Sequence, residues 1–204
     1  MRISELSAAT GVPVATVKYY LREGLLHPGE ATAATQAQYD DSHVRRLRLA
    51  RALVQVGGLS VAGAREVLAA LDSGPASLHD VLGVAHSALP PQPEGGLDPV
   101  RALSLARAWG WRVHPDAPSL RQLERALTAL DELDAPATEA ALAAYADAAH
   151  RVAEVDVGGL PTTTAEDAAT AAVVGTVLYE PVLLALRRMA QEAVSAELFS
   201  ATRP

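Results

Sequence analysis

The 204-residue chain contains no cysteine. That absence excludes disulfides, thiolate metal sites, iron–sulfur clusters and thiol redox switches together. Lysine is nearly absent too, with Lys18 alone against sixteen arginines. Acidic residues outnumber basic ones 24 to 17, so the chain is no histone-like basic binder. No apolar run reaches the roughly 18 residues that a bilayer span needs. The most apolar stretch, Ala168 to Met189, is broken by Thr170, Gly175, Thr176, Glu180, Pro181 and two arginines, and reads as a buried helix pair. The N-terminal Met1-Arg2-Ile3-Ser4-Glu5-Leu6 lacks the apolar core of a signal peptide. Nucleophile elbows, phosphate loops, metal-protease helices and paired-carboxylate spacings are also missing, so no enzyme is expected. These absences lead us to expect a cytoplasmic protein with no membrane contact, catalytic residue, metal or cofactor.

What charge there is lies unevenly. Residues 1–74 hold eight basic and seven acidic side chains, whereas residues 75–204 hold nine and seventeen. Only the first segment is free of the acidity that would repel phosphates. Proline and glycine punctuation at Ser73-Gly74-Pro75 and Pro90-Pro91-Gln92-Pro93-Glu94-Gly95-Gly96 divides the chain. Three parts are expected: residues 1–74, a short connecting helix and linker over 75–97, and an all-helical domain over 98–204.

Within the first part, Ile3–Ala9 reads as a short helix and Gly11-Val12 as a tight turn. Pro13 opens a second helix to about Arg22, and Gly24 caps it. Residues 25–39 fit a hairpin or loop. Asp41 or Ser42 is expected to cap a third helix that Gly57-Gly58 stops, and Ser60 a fourth. Further helices are expected over Ala76–Leu89, Leu97–Trp109, Ser119–Leu133, Ala137–Val155, Ala165–Tyr179 and Pro181–Phe199, from apolar spacings of three and four. The fold class is mainly α.

Two short helices about a glycine turn match a helix-turn-helix, although many helical hairpins do as well. Packing Ile3, Leu6, Ala9 and Val12 against Val17, Tyr20 and Leu21 leaves Ala15, Thr16, Lys18, Tyr19 and Arg22 outside. A cation, a hydroxyl and an aromatic with a polar tip suit contact with a phosphate-lined groove.

The whole segment goes further. Ile3-Ser4-Glu5-Leu6, Thr10-Gly11-Val12, Lys18-Tyr19-Tyr20, Glu23-Gly24-Leu25-Leu26, Tyr39, and Leu47 with Gly57 and Leu59-Ser60 occur in order at specific spacings. Over residues 1–72 the chain resembles the N-terminal winged helix-turn-helix, with its small β wing, of the MerR family of bacterial regulators. The resemblance implies a homodimer on double-stranded promoter DNA that underwinds an over-long spacer, acting on RNA polymerase indirectly. It implies a DNA-facing set of Thr16, Lys18, Tyr19, Tyr20 and Arg22, joined by Gln38 and Tyr39 from the wing and Arg45 or Arg46 from the third helix. By its spacing from Val17, Tyr20 fits the core as well, and the arginines of the third helix fit a solvated face.

Departures from the family pattern matter. Ala15 replaces a usual arginine, and Lys18-Tyr19-Tyr20 replaces Arg-Tyr-Tyr. The wing, Glu30 to Gln38, carries no cation. Each lost phosphate contact removes about one counterion's worth of salt-dependent affinity, so a weaker backbone grip is expected, or compensation by Arg45, Arg46 and Arg48. The connecting helix, Ala76–Leu89, offers barely two heptads, too few for a dimer seam alone. Dimerisation should therefore also use the C-terminal domain.

That domain's purpose is less legible. Metal sensing by cysteine is excluded, and His79 and His86, seven residues apart, make a poor ligand pair. Trp109, Trp111, Tyr145 and Tyr179 are the large aromatics of an alanine- and leucine-rich region, and Glu180 sits in its most apolar stretch. These five are the expected ligand-binding residues for a small organic molecule. The helical arrangement is loosely similar to TetR-type ligand domains. The alternative is a domain that docks a partner protein with no small-molecule effector.

Overall fold

The computed structural model describes residues 1–33, 36–73, 78–89, 97–161 and 164–199. Its elements follow the order α1 (Ile3–Thr10), α2 (Val14–Arg22), β1 (Glu30–Ala33), β2 (Gln36–Gln38), α3 (Asp41–Gln55), α4 (Val61–Asp72), α5 (Leu78–Ala88), α6 (Val100–Ala108), α7 (Pro118–Glu132), α8 (Glu139–Gly158) and α9 (Ala165–Phe199). The mainly helical class and the small wing are as expected. The linker at 90–96 lies outside the described residues.

Local chemistry sets the first elements. Gly11 stands at φ 66°, the left-handed conformation that lets the chain leave α1 and re-enter α2 within three residues. The Ser7 hydroxyl donates to the Val12 carbonyl at 2.6 Å and ties the turn shut. After α2, the amides of Leu25 and Leu26 both donate to the Tyr20 carbonyl, at 2.9 and 3.3 Å, which turns two apolar side chains inward. The antiparallel wing pairs Glu30 with Gln38 and Ala31 with Ala37, with a bulge before the Ala33–Gln36 pair. Its end is tied to the chain start: the Tyr39 amide donates to the Met1 carbonyl at 2.8 Å.

The N-cap of α3 is Asp40, one residue before the expected Asp41 or Ser42. Its carboxylate accepts from the Ser42 amide at 2.9 Å and the His43 amide at 3.3 Å, while the Asp40 amide donates to His43 Nδ1. The Ser42 hydroxyl first, then His43, hold the Asp40 carboxyl well below the usual carboxylate range. Ser60 caps α4 as expected, accepting from the Gly63 amide at 3.0 Å.

One core gathers Leu6, Val17, Tyr20, Leu25, Leu47, Leu53 and Leu68 with Val81 and Ala85 of α5 and Ala169, Val173 and Val177 of α9. A smaller cluster joins Ala102 and Ala106 of α6 to Leu120 of α7. The first half of α9 thus belongs to the same core as the helix-turn-helix, so the expected boundary near residue 97 does not coincide with a gap between cores.

Two expectations are corrected in α9. Pro181 lies inside one continuous helix instead of separating two. A proline removes one hydrogen-bond donor and crowds the preceding turn, and here the rest of a 35-residue helix outweighs that loss. Nor is the stretch buried throughout, because every side chain from Val182 to Phe199 is exposed. As one helix, Asp167–Phe199 is long and apolar enough to cross a membrane by length and composition alone, although its first half is built into the core.

Candidate nucleic-acid interface

The second helix presents two distinct faces. Val17 and Tyr20 point into the core, leaving Ala15, Lys18, Tyr19 and Arg22 at spacings of three and four on the opposite side. Lys18 and Arg22 are exposed, and Thr16 is half-buried at the edge of the same face. The Arg22 guanidinium stands 5.2 Å over the Tyr19 ring, a cation–π contact, while Tyr19 itself is half-buried and packs partly against the core. Arg22 also pairs with Glu23 at 3.4 Å, an exposed contact that a phosphate can displace.

Several other expected DNA-facing residues serve the fold. Tyr20 is only 4% exposed and packs in the core, and burial raises its hydroxyl pKa. Tyr39 is likewise buried, edge-on to the His43 ring at a centroid distance of 5.2 Å. Arg46 is fully engaged. Its side chain is 10% exposed, makes a bidentate pair with Asp72 at 2.6 and 2.7 Å, and donates to the Leu25 carbonyl at 3.0 Å. It locks α3 to α4 and to the turn after α2, and offers phosphate no free donor face. Arg48 donates to the Ala9 carbonyl at 3.1 Å and Arg51 to the Thr10 carbonyl at 3.4 Å, both at the C-terminus of α1, where cations complement the helix dipole. Sequence reasoning missed these braces, because a carbonyl 39 or 41 residues away leaves no local pattern. Arg45 and Gln38 are exposed. The open set is thus Thr16, Lys18, Tyr19, Arg22, Gln38 and Arg45.

The expected ligand residues separate into three places. Tyr179 and Glu180 line a cleft of about 290 Å³ between α5, α8 and α9. Its lining includes Leu82, Leu89, Val152, Val157 and Leu183 together with His86 and Asp156. Neither lysine nor arginine lines it. Burial raises the Glu180 pKa, and burial followed by repulsion from His79 lowers that of His86. Trp109 and Trp111 lie elsewhere, tilted against each other at 5.1 Å, with Trp111 stacked on His150 of α8 at 6.1 Å. Tyr145 stands under Arg187 at 5.8 Å, on a separate shallow groove between α8 and the end of α9. No group of three or more histidines or carboxylates with metal-holding geometry occurs among the described residues.

Comparison with known proteins agrees with this geometry. Residues 1–71 match the family described as MerR HTH family regulatory protein. The nodulation protein NolA of Bradyrhizobium sp. (strain NC92) is 38% identical over 81 residues, covering 40% of this chain and 32% of that protein. The HTH-type transcriptional regulator ZntR homolog of Haemophilus influenzae is 38% identical over 47 residues, covering 23% of this chain and 35% of that protein. The chain thus spans about a third of the length of these curated relatives. The crystal structure of SCO5550 from Streptomyces coelicolor A3(2), a protein provisionally assigned as a transcriptional regulator, matches over 98% of both chains at 38% identity and a TM-score of 0.66.

Proposed function

Because the chain is a transcriptional regulator of the MerR family, with a helix-turn-helix and not an enzyme's machinery, we propose that it acts in the cytoplasm as a homodimer on promoter DNA and senses a small organic molecule through its C-terminal helices. The observation carrying the DNA reading is the face of α2 where exposed Lys18 and Arg22 flank the half-buried Tyr19, backed by a core that fixes its direction. Insertion of that face in the major groove puts Tyr19 and Arg22 against bases or phosphates, with Gln38 and Arg45 on the flanking backbone. RNA polymerase is then affected indirectly, through the shape imposed on the promoter.

The sensing reading rests on the cleft at Tyr179 and Glu180. An apolar wall that carries Glu180 and Asp156, with burial disfavouring the charged form of His86, selects a ligand with a flat or aliphatic body and a cationic group. Its volume fits a molecule of modest size. The second reading, docking of a partner protein, draws on the exposed apolar end of α9.

The deciding experiment is protection of promoter DNA by the full chain and by a Lys18→Ala, Tyr19→Ala double variant. Loss of the footprint with an unchanged circular dichroism spectrum supports the assignment. A normal footprint from the double variant removes it.

A further inference from the structure

We propose that Arg2 seats a DNA phosphate beside the wing and supplies the cation that the wing itself lacks. The proposal rests on the DNA reading above and adds a residue to it.

Met1 and Arg2 run alongside the end of β2 as a short third strand. The Met1 nitrogen donates to the Tyr39 carbonyl at 2.6 Å, and the Tyr39 amide donates back to the Met1 carbonyl at 2.8 Å. Two residues that exchange both hydrogen bonds lie directly opposite each other in an antiparallel pair. Arg2 continues extended, at φ −83° and ψ 166°, so the next opposing pair is Arg2 with Gln38. Opposed side chains share one face, and neighbours along a strand alternate between faces. Burial follows that alternation: Met1 and Tyr39 pack in the core, whereas Arg2 and Gln38 are exposed. On the other side of β2, β1 sets Glu30 against Gln38. One outer row therefore reads Arg2, Gln38, Glu30.

The row has a direction of charge. Residues 30–38 contain no lysine or arginine, so Arg2 brings the row its one cation. Glu30 repels phosphate at the far end, which leaves the guanidinium of Arg2 and the amide of Gln38 as the seat. Arg2 has no ion-pair partner among the described residues, unlike Arg22 and Arg46. Glu5, three residues on, directs its carboxylate to the Arg2 backbone amide at 2.5 Å. The Arg2 carbonyl accepts from the Glu5 and Leu6 amides at 3.0 and 2.9 Å. The backbone is thus fixed by the start of α1, and the side chain is left to reach outward. In a helix-turn-helix the first helix crosses the DNA backbone while the second enters the groove. The start of α1 and the root of the wing then meet the phosphates that flank the Lys18 face.

Binding by the full chain across salt concentrations tests the seat, on the promoter DNA it protects and on a scrambled duplex of equal length. Arg2→Gln should weaken binding to both about fivefold at about 0.1 M salt and flatten the salt slope by about one counterion. Arg2→Lys should keep the wild-type slope. Adding Gln38→Arg to Arg2→Gln should restore it, because the row regains a cation. Arg125→Gln, at an exposed position of α7, should change neither quantity. The melting temperature should hold through the series, since the bonds at Arg2 use its backbone. A wild-type slope in Arg2→Gln overturns the seat, and the Lys18 face stands if its double variant still loses the footprint. An equal loss from Arg125→Gln reduces Arg2 to net charge and overturns the seat as well. A loss confined to the promoter, with the slope unchanged, makes Arg2 a reader of bases and does the same. A wild type that protects no DNA overturns the seat and the DNA reading together.

Discussion

Gly57, just after α3, lies so close to Val177 of α9 that a methyl group built on it would fall 2.1 Å from Val177 Cγ1. The helix bearing the cleft residues is therefore seated directly on the end of the DNA-binding unit. We predict that Gly57→Ala overpacks this junction at a cost of about 1–3 kcal/mol. Thermal unfolding would show it, and adding Val177→Ala should recover part of the loss. A Gly57→Ala protein as stable as the wild type would contradict the contact.

Arg45 and Arg46 are adjacent in sequence and should behave in opposite ways. Arg46→Ala leaves the Leu25 carbonyl and the Asp72 carboxylate without their donor, and should destabilise the fold by about 1–3 kcal/mol. Arg46→Lys cannot reproduce the bidentate geometry and should rescue little. Arg45→Ala should leave the melting temperature unchanged and flatten the salt dependence of DNA binding by about one counterion. Chemical denaturation and binding measured across salt concentrations separate the two effects.

The α3 cap makes stability depend on pH. The folded Asp40 carboxyl titrates below its ordinary value of 3.8, so the unfolded chain takes up the proton first as pH falls. Its contribution is complete above the ordinary carboxylate range and is lost as pH drops through the lower folded value. Asp40→Ala should therefore melt a few degrees below the wild type at pH 7, and the gap should close in acid. An equal gap at pH 7 and at pH 2 would refute the cap's electrostatic role.

Glu180 runs with the opposite sign. Burial raises its folded pKa, so ionisation above the ordinary range works against the fold. Glu180→Gln should melt higher than the wild type at pH 8, with the difference shrinking as pH falls. Naphthylmethylammonium should raise the wild-type melting temperature and leave the variant's unmoved. Equal shifts in both proteins would remove the carboxylate from ligand binding.

The helix-turn-helix was legible because its determinants are local: Gly11 for the turn, alternate packing of Val17 and Tyr20, and Ser60 as a cap. The roles of the arginines were not. Arg45, Arg46 and Arg48 are one undifferentiated basic run in sequence, and only tertiary folding sends Arg46 to Asp72 and Arg48 to Ala9. Tyr179 and Glu180 were recognisable as an unusual pair in an apolar stretch, but His86 and Asp156 reach the cleft from other helices. Pro181 misled for a physical reason: it ends a helix when the flanking turns have no other support, and α9 has a buried first half to supply it.

Pro181 cannot donate to the carbonyl of Val177, one turn earlier, so α9 is softest to bending where its side chain meets Gly57 and where the cleft opens. The helix is thus a rod with a compliant joint, rigid on either side. A guest that wedges against Tyr179 and Glu180 would tilt the free arm relative to the DNA reader, and a few degrees at the joint become ångströms at the tip.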